Sequence, residues 1–328
     1  VTLTGCSRSN RGARKRTASG CSSSPGWTGA ARHSSSTRLA ATFWPPNSAS
    51  RPPLRRRRST TASFARRVPL SDACTLPAPL TPFVGREPEL ARLRALLADP
   101  YARLIALTGP PGVGKSRLAI EAAQRARATF LDGICYVSLE SLSTEERLPD
   151  ALADALALDA GDDPLAAVLH HLRDREMLLL LDGFERLLPA PAVNEENAGV
   201  DTEESRGGAL LDVLQAAPQV KVLITSRQPS GLREAYRFPL EGLACPPLTG
   251  DSASAVALET YDAARLFLHQ ARRVLPDFTL TPEDAAAIAA ICWWVEGNPL
   301  ALERAAAWVD RMSCGRIAEM IPHAIFVE

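Results

Sequence analysis

The segment "LIALTGPPGVGKSRLAIEAA", Leu104 to Ala123, decides how this chain folds. Its apolar opening reads as a buried strand, its glycine-rich middle as a turn and its alanine-rich end as a helix. Gly109-x-x-x-x-Gly114-Lys115-Ser116 has the spacing of a P-loop, set in the strand–turn–helix context that this motif requires. The glycines let successive N–H groups turn inward around phosphate oxygens, and the helix start adds its partial positive charge at the same place. Lys115 is one of three lysines in a chain with 34 arginines. A compact ammonium reaches the β- and γ-phosphates where a planar guanidinium is too bulky. Ser116 offers a hydroxyl to Mg²⁺. Gly109, Pro110, Pro111, Gly112, Val113, Gly114, Lys115, Ser116 and Arg117 are therefore the candidate contacts for ATP or ADP.

Outward from this stretch, strands and helices alternate. Strands are expected at Arg103–Thr108, Gly133–Glu140, Met177–Asp182, Val220–Thr225 and Tyr236–Leu240. Helices are expected through Leu90–Leu97, around Leu148–Leu158 and Pro164–Arg175, and at Ala209–Ala217. The alternation predicts a doubly wound α/β domain whose parallel sheet is covered on both faces. "MLLLLD" ends in Asp182 at the carboxyl edge of that sheet, where the acid that holds the magnesium water shell belongs. "VKVLITSRQP" ends in Thr225-Ser226-Arg227, and Arg227 is a candidate to reach the γ-phosphate. Glu185 is the nearest acid after Asp182. It is expected to point into the cleft, or to be a helix-start acid that only complements the local dipole. Beyond Asp251 the strands stop. Helices near Ala255–Leu275, Pro282–Val295, Leu300–Arg311 and Gly315–Ile321 make a small all-helical domain. Trp293 and Trp294 are read as packing residues, in the core or at the domain interface.

The flanks differ from this core. Residues 1–70 hold thirteen arginines and one lysine with no Asp or Glu, although the whole chain has a formal net charge of zero. Residues 1–75 read as a disordered Arg/Ser/Pro-rich leader or as sequence outside any folded domain. A transit peptide and a basic arm for nucleic acid are the alternatives. The 191–208 stretch "PAVNEENAGVDTEESRGG" is an acidic surface loop. Seven scattered cysteines without a C-x-x-C pair argue against a zinc site or a disulfide framework, and adjacent His170 and His171 make a poor metal pair. No apolar run is long enough for a bilayer, so a reducing cytoplasm is expected.

"FVGRE" (Phe83–Glu87), the P-loop, "LLLLDGFE", "LITSR" and "EGNPLALERAAAW" (Glu296–Trp308) occur in the order seen in STAND ATPases. The chain thus resembles this group of AAA+ relatives, which includes NB-ARC domains and bacterial LuxR-type and SARP-type transcriptional regulators. The resemblance spans roughly residues 80–322. It implies that Val84, Gly85 and Arg86 line the adenine pocket, and that Pro299 closes on the nucleotide from the lid. It also implies a P-loop domain at 76–250, a lid at 251–328 and a winged-helix domain beyond, so that DNA is met outside this chain. A fragment or a truncated gene product is then expected. Departures exist: Asp182 is followed by Gly183 rather than a second acid. The expected function is an ATP/ADP switch with weak Mg²⁺-dependent ATPase activity, with Asp182, Glu185 and Arg227 catalytic and Ser116 and Asp182 at the metal. Self-association in the ATP state is a further expectation. An inert ADP-binding remnant and a metabolic P-loop enzyme such as a kinase are the alternatives.

Overall fold

In a computed structural model the residues described are 75–142, 144–188, 208–248 and 255–322. The expected leader, save its last residue, and nearly all of the acidic loop lie outside them. Five strands form one sheet: β1 (Leu104–Thr108), β2 (Ile134–Ser138), β3 (Leu178–Asp182), β4 (Lys221–Ser226) and β5 (Tyr236–Pro239). Their order is β2-β3-β4-β1-β5, and each neighbouring pair is parallel. The expected parallel α/β architecture is present.

The strands are apolar on both faces because both faces are covered. Successive strand side chains point to opposite sides. Thus Leu179 and Leu181 of β3 join Val222 and Ile224 of β4 beneath α3 (Leu148–Ala155), α4 (Pro164–Leu172) and α5 (Gly208–Ala216). Leu178 and Leu180 join Ile105 and Leu107 on the other side, against α1 (Glu87–Ala98) and α2 (Lys115–Arg125). The chain's lysine economy extends to the opposite end of the sheet. There the Lys221 ammonium donates to the carbonyls of Leu96, Asp99 and Ala102, which closes the turn between α1 and β1.

From residue 255 the described elements are helical: α6 (Ala255–Leu258), α7 (Asp262–Val274), α8 (Pro282–Trp294), α9 (Pro299–Ala306) and α10 (Cys314–Met320). They enclose a separate core around Phe267, Ile288, Ile291 and Leu302. Two expectations fail here. The single helix predicted over Ala255–Leu275 is broken, because Thr260 turns its hydroxyl and its N–H onto the Ala257 carbonyl and Tyr261 is extended. Trp293 and Trp294 are not packing residues. They are 55 % and 59 % exposed, since the buried side of α8 runs through Ala285, Ile288, Ala289, Ile291 and Cys292.

The helical part is joined to the sheet by the strap that leaves β5. The Leu243 N–H donates to the Gly297 carbonyl at 2.8 Å. A Cβ on Gly242 would lie 1.8 Å from the Glu296 carbonyl oxygen, so only glycine lets the two backbones approach. Gly242→Ala is expected to cost about 1–3 kcal/mol, the usual range for overpacking. The measurement is the urea midpoint; an unchanged midpoint would show that the strap does not need this approach.

Candidate functional site

The turn between β1 and α2 is built by settling its carbonyls. Backbone carbonyls shielded from water must find partners, and in this turn even those of the exposed Pro110 and Pro111 have one within the protein. The Lys115 ammonium takes two, donating to Gly109 O at 2.9 Å and Pro110 O at 3.0 Å. Asn298 Nδ2, from the N-terminus of α9, donates to Pro111 O at 2.9 Å. The Leu300 N–H donates to Gly112 O at 3.3 Å. Arg86 Nη2 donates to Val113 O at 2.9 Å, and Gly114 O accepts from the Leu118 N–H of α2 at 2.9 Å. Every carbonyl from Gly109 to Gly114 is thus engaged. In a trans peptide the N–H points opposite to the carbonyl. Gly112 and Gly114 accordingly lie on the wall of one cavity, where N–H donors and the start of α2 favour an anion.

Arg86 is 3 % exposed and ties three elements together. Besides Val113 O it reaches Glu241 O at 2.7 Å and pairs with Glu89 at 3.1 Å, while its backbone N–H donates to Asp262 Oδ2 at 3.0 Å. Burial lowers its pKa, against the opposing pull of Glu89 and Asp262. Burial also lowers that of Lys115, opposed by the carboxylates of Glu185 and Asp182.

At the carboxyl edge of the sheet the acids take different roles. Asp182 Oδ1 accepts from the Ser116 hydroxyl at 2.6 Å and also from the Thr225 hydroxyl, and Oδ2 accepts from the Tyr136 phenol at 3.1 Å. Burial, with the Asp182 charge beside it, pushes the Tyr136 phenol up to about 12. Thr225 also accepts from the Gly183 N–H at 3.0 Å, which fixes the chain just after Asp182. Glu185 is held by Arg227 twice, by Nε at 3.1 Å and by the backbone N–H at 3.2 Å. The Ser116–Asp182 pair offers two hard oxygens side by side, a donor set that suits magnesium keeping its remaining positions for water and phosphate oxygens. Among the described residues no group of three or more His, Cys, Asp or Glu side chains is gathered for a metal.

The cavity measures about 410 Å³ and is shared by the sheet edge and the helical part. Of the predicted contacts, Val84, Arg86, Pro111, Gly112, Gly114, Lys115, Ser116, Arg117 and Pro299 line it, as do Asp182, Glu185 and Arg227. Gly85, Gly109, Pro110 and Val113 are not on its wall. Gly85 and Gly109 instead permit close approach to Asp262 and to the Leu240 carbonyl, and Val113 is buried in the core. Sequence reasoning missed Tyr136, Asn298's bond to the turn, and the wall formed by Leu243, Leu266, Leu300 and Glu303. Only a knowledge of strand register, which sets Ser138 opposite Asp182, could have flagged Tyr136.

Residues 82–275 match the family model described as the AAA ATPase domain. Over 237 residues the chain is 33 % identical to an uncharacterised protein of Mycobacterium tuberculosis, covering 71 % of this chain and 52 % of that one. Over 231 residues it is 35 % identical to a protein of the same organism that bears the name of an HTH-type transcriptional regulator, covering 69 % of this chain and 22 % of the regulator. The chain therefore spans about half the length of the first relative and about a fifth of the second. Among solved structures, the Walker-type ATPase of Pyrococcus abyssi aligns with a TM-score of 0.47 at 14 % identity over 75 % of each chain. Among the described residues no helix is long and apolar enough to cross a membrane.

Thr225 is 1 % exposed, and its hydroxyl serves both Asp182 and the Gly183 N–H. Thr225→Val keeps the shape but strands the Gly183 donor, so a loss of about 1–3 kcal/mol is expected. Denaturant titration of the full chain checks this, and wild-type stability in the variant would count against the network.

Proposed function

The chain belongs to the AAA ATPase domain family, and from that premise we propose that it is a nucleotide-dependent switch. It binds ATP between the sheet edge and the helical lid, hydrolyses it slowly, and couples nucleotide state to lid docking. The observation that carries this reading is the shared cavity, into which Lys115, Ser116, Asp182, Arg227 and the lid residue Pro299 all converge. Ser116 and Asp182 would hold Mg²⁺, which when bound neutralises charge on the transferring phosphoryl group. The turn's N–H groups and Lys115 bind the phosphate chain. Val84, Leu243, Leu266 and Leu300 supply an apolar wall for the base.

Slow turnover follows from the acids. Glu185 already holds an arginine side chain and a backbone N–H, so its oxygens are turned to Arg227 rather than to an attacking water. Releasing Arg227 to the γ-phosphate would free it, and the pair thereby links nucleotide state to chemistry. The same pair favours a second reading, in which ADP or ATP binds without turnover. The likeness to a helix-turn-helix regulator supports a regulatory role for the whole protein, with DNA met by a region other than this ATPase domain. We assign residues 76–250 to the nucleotide-binding domain and 251–328 to the lid, with residues 1–75 as a leader. Self-association in the ATP state belongs to the same reading.

Lys115→Ala is expected to abolish ATP binding in a titration, because it removes the side-chain cation aimed at the phosphates. Unchanged affinity would defeat the assignment. In single-turnover assays the wild type is expected to hydrolyse ATP at roughly 10⁻⁴ to 10⁻² per second, the range of unassisted P-loop switches. Asp182→Asn should stop turnover. Many turnovers per second would sink the switch reading, no turnover at all would favour the second one, and equal rates for wild type and Glu185→Gln would remove Glu185 from the chemistry.

A further inference from the structure

Asn298 uses both ends of its amide. Its Oδ1 caps α9, accepting from the N–H groups of Leu300 at 3.1 Å and Ala301 at 3.3 Å. Its Nδ2 crosses to the phosphate-binding turn and donates to Pro111 O at 2.9 Å, over a separation of 187 residues. Capping alone does not require this residue, since Ser and Asp cap helices about as well. Neither of them carries the second, amide donor. The contact is close: Gly112 adopts φ +74, and a Cβ there would lie 2.8 Å from Asn298 Oδ1 and 2.9 Å from Leu300 Cβ.

We propose that Asn298 is a positioning residue for nucleotide binding, acting through the Pro111–Gly112 peptide; this rests on the nucleotide-switch reading above. By holding the Pro111 carbonyl outward, it sets the opposite end of the same planar peptide, the Gly112 N–H, toward the cavity. Without that donor the peptide is free to rotate and to present an oxygen to the phosphates. The lid thereby tunes the anion affinity of a turn that lies in another part of the fold, without itself touching phosphate.

The test uses the full chain and three measurements on wild type, Asn298→Ser, Asn298→Asp and Lys115→Ala. These are ADP affinity by titration, the ADP-induced shift of the Gly112 amide resonance under glycine-selective labelling, and the melting temperature without nucleotide. Both Asn298 variants retain a cap, and water can take over the Pro111 carbonyl because Pro111 is exposed, so their nucleotide-free melting temperatures should stay close to the wild type. ADP affinity should fall about fivefold in Asn298→Ser, the worth of one hydrogen bond, and at least as far in Asn298→Asp. The Gly112 shift should shrink in both. Wild-type affinity or a full Gly112 shift in Asn298→Ser overturns the proposal. So does a loss confined to Asn298→Asp, which would be charge alone, or a lowered melting temperature in both variants, which would make the role structural. If the wild type takes up no ADP, or Lys115→Ala binds it normally, the nucleotide reading itself fails. If Lys115→Ala loses ADP while Asn298→Ser does not, only the role of Asn298 fails.

Discussion

Six consecutive carbonyls, Gly109 to Gly114, constrain this molecule more than any other group of atoms. From the Pro111–Gly112 peptide onward, a turn that offers its N–H groups to an anion faces its carbonyls the other way; the Gly109 and Pro110 carbonyls precede prolines and have no N–H opposite them. The turn itself supplies Lys115, the Val113 N–H on the Pro110 carbonyl at 3.4 Å, and the first turn of α2. The remaining donors come from Arg86, ahead of α1, and from Asn298 and Leu300, at the start of α9. Each bond is worth only about 1 kcal/mol net, but a buried carbonyl such as that of Val113 costs more than that when left without a partner. The docking of the helical part and the shape of the binding turn are therefore one problem with one solution.

The choice of cation follows from the same demand. Lys115 and Lys221 both sit where backbone carbonyls crowd around one point, two for the former and three for the latter. A single ammonium with three donors answers such a cage. Arg86 has the opposite task, because its partners Glu89, Val113 and Glu241 come from separate directions, and a planar fork spans them. Asp182 is held by hydroxyl donors from α2, β2 and β4, whereas Glu185 is tied to Arg227. Two acids three residues apart are thus held in different ways, one by hydroxyls and one by an arginine.

Much of the fold is legible in the sequence because its signals are local. The leucine run before Asp182 is apolar at every position, as in a strand covered on both faces, and the glycine spacing of the P-loop states its own geometry. Where the local pattern misled, a neighbour decided. Thr260 took the Ala257 carbonyl and broke a helix that apolar periodicity alone would continue. Trp293 and Trp294 fell on the outer side of α8 because smaller residues filled the core. AAA ATPase membership was likewise readable from the order of short motifs, each carried within a few residues.

What the sequence by itself determined is the parallel sheet, the turn that can bind phosphate and the acid beside it. The spacing of apolar and glycine positions encodes these within a single strand or turn. Only the tertiary structure decided which groups complete the site. Tyr136 meets Asp182 because β2 pairs with β3 in one register, Thr225 because β4 lies next in the sheet order, and Asn298 because the chain closes on itself after 187 residues. Register, strand order and chain closure are set by the packing of whole elements, so no short stretch of sequence carries them.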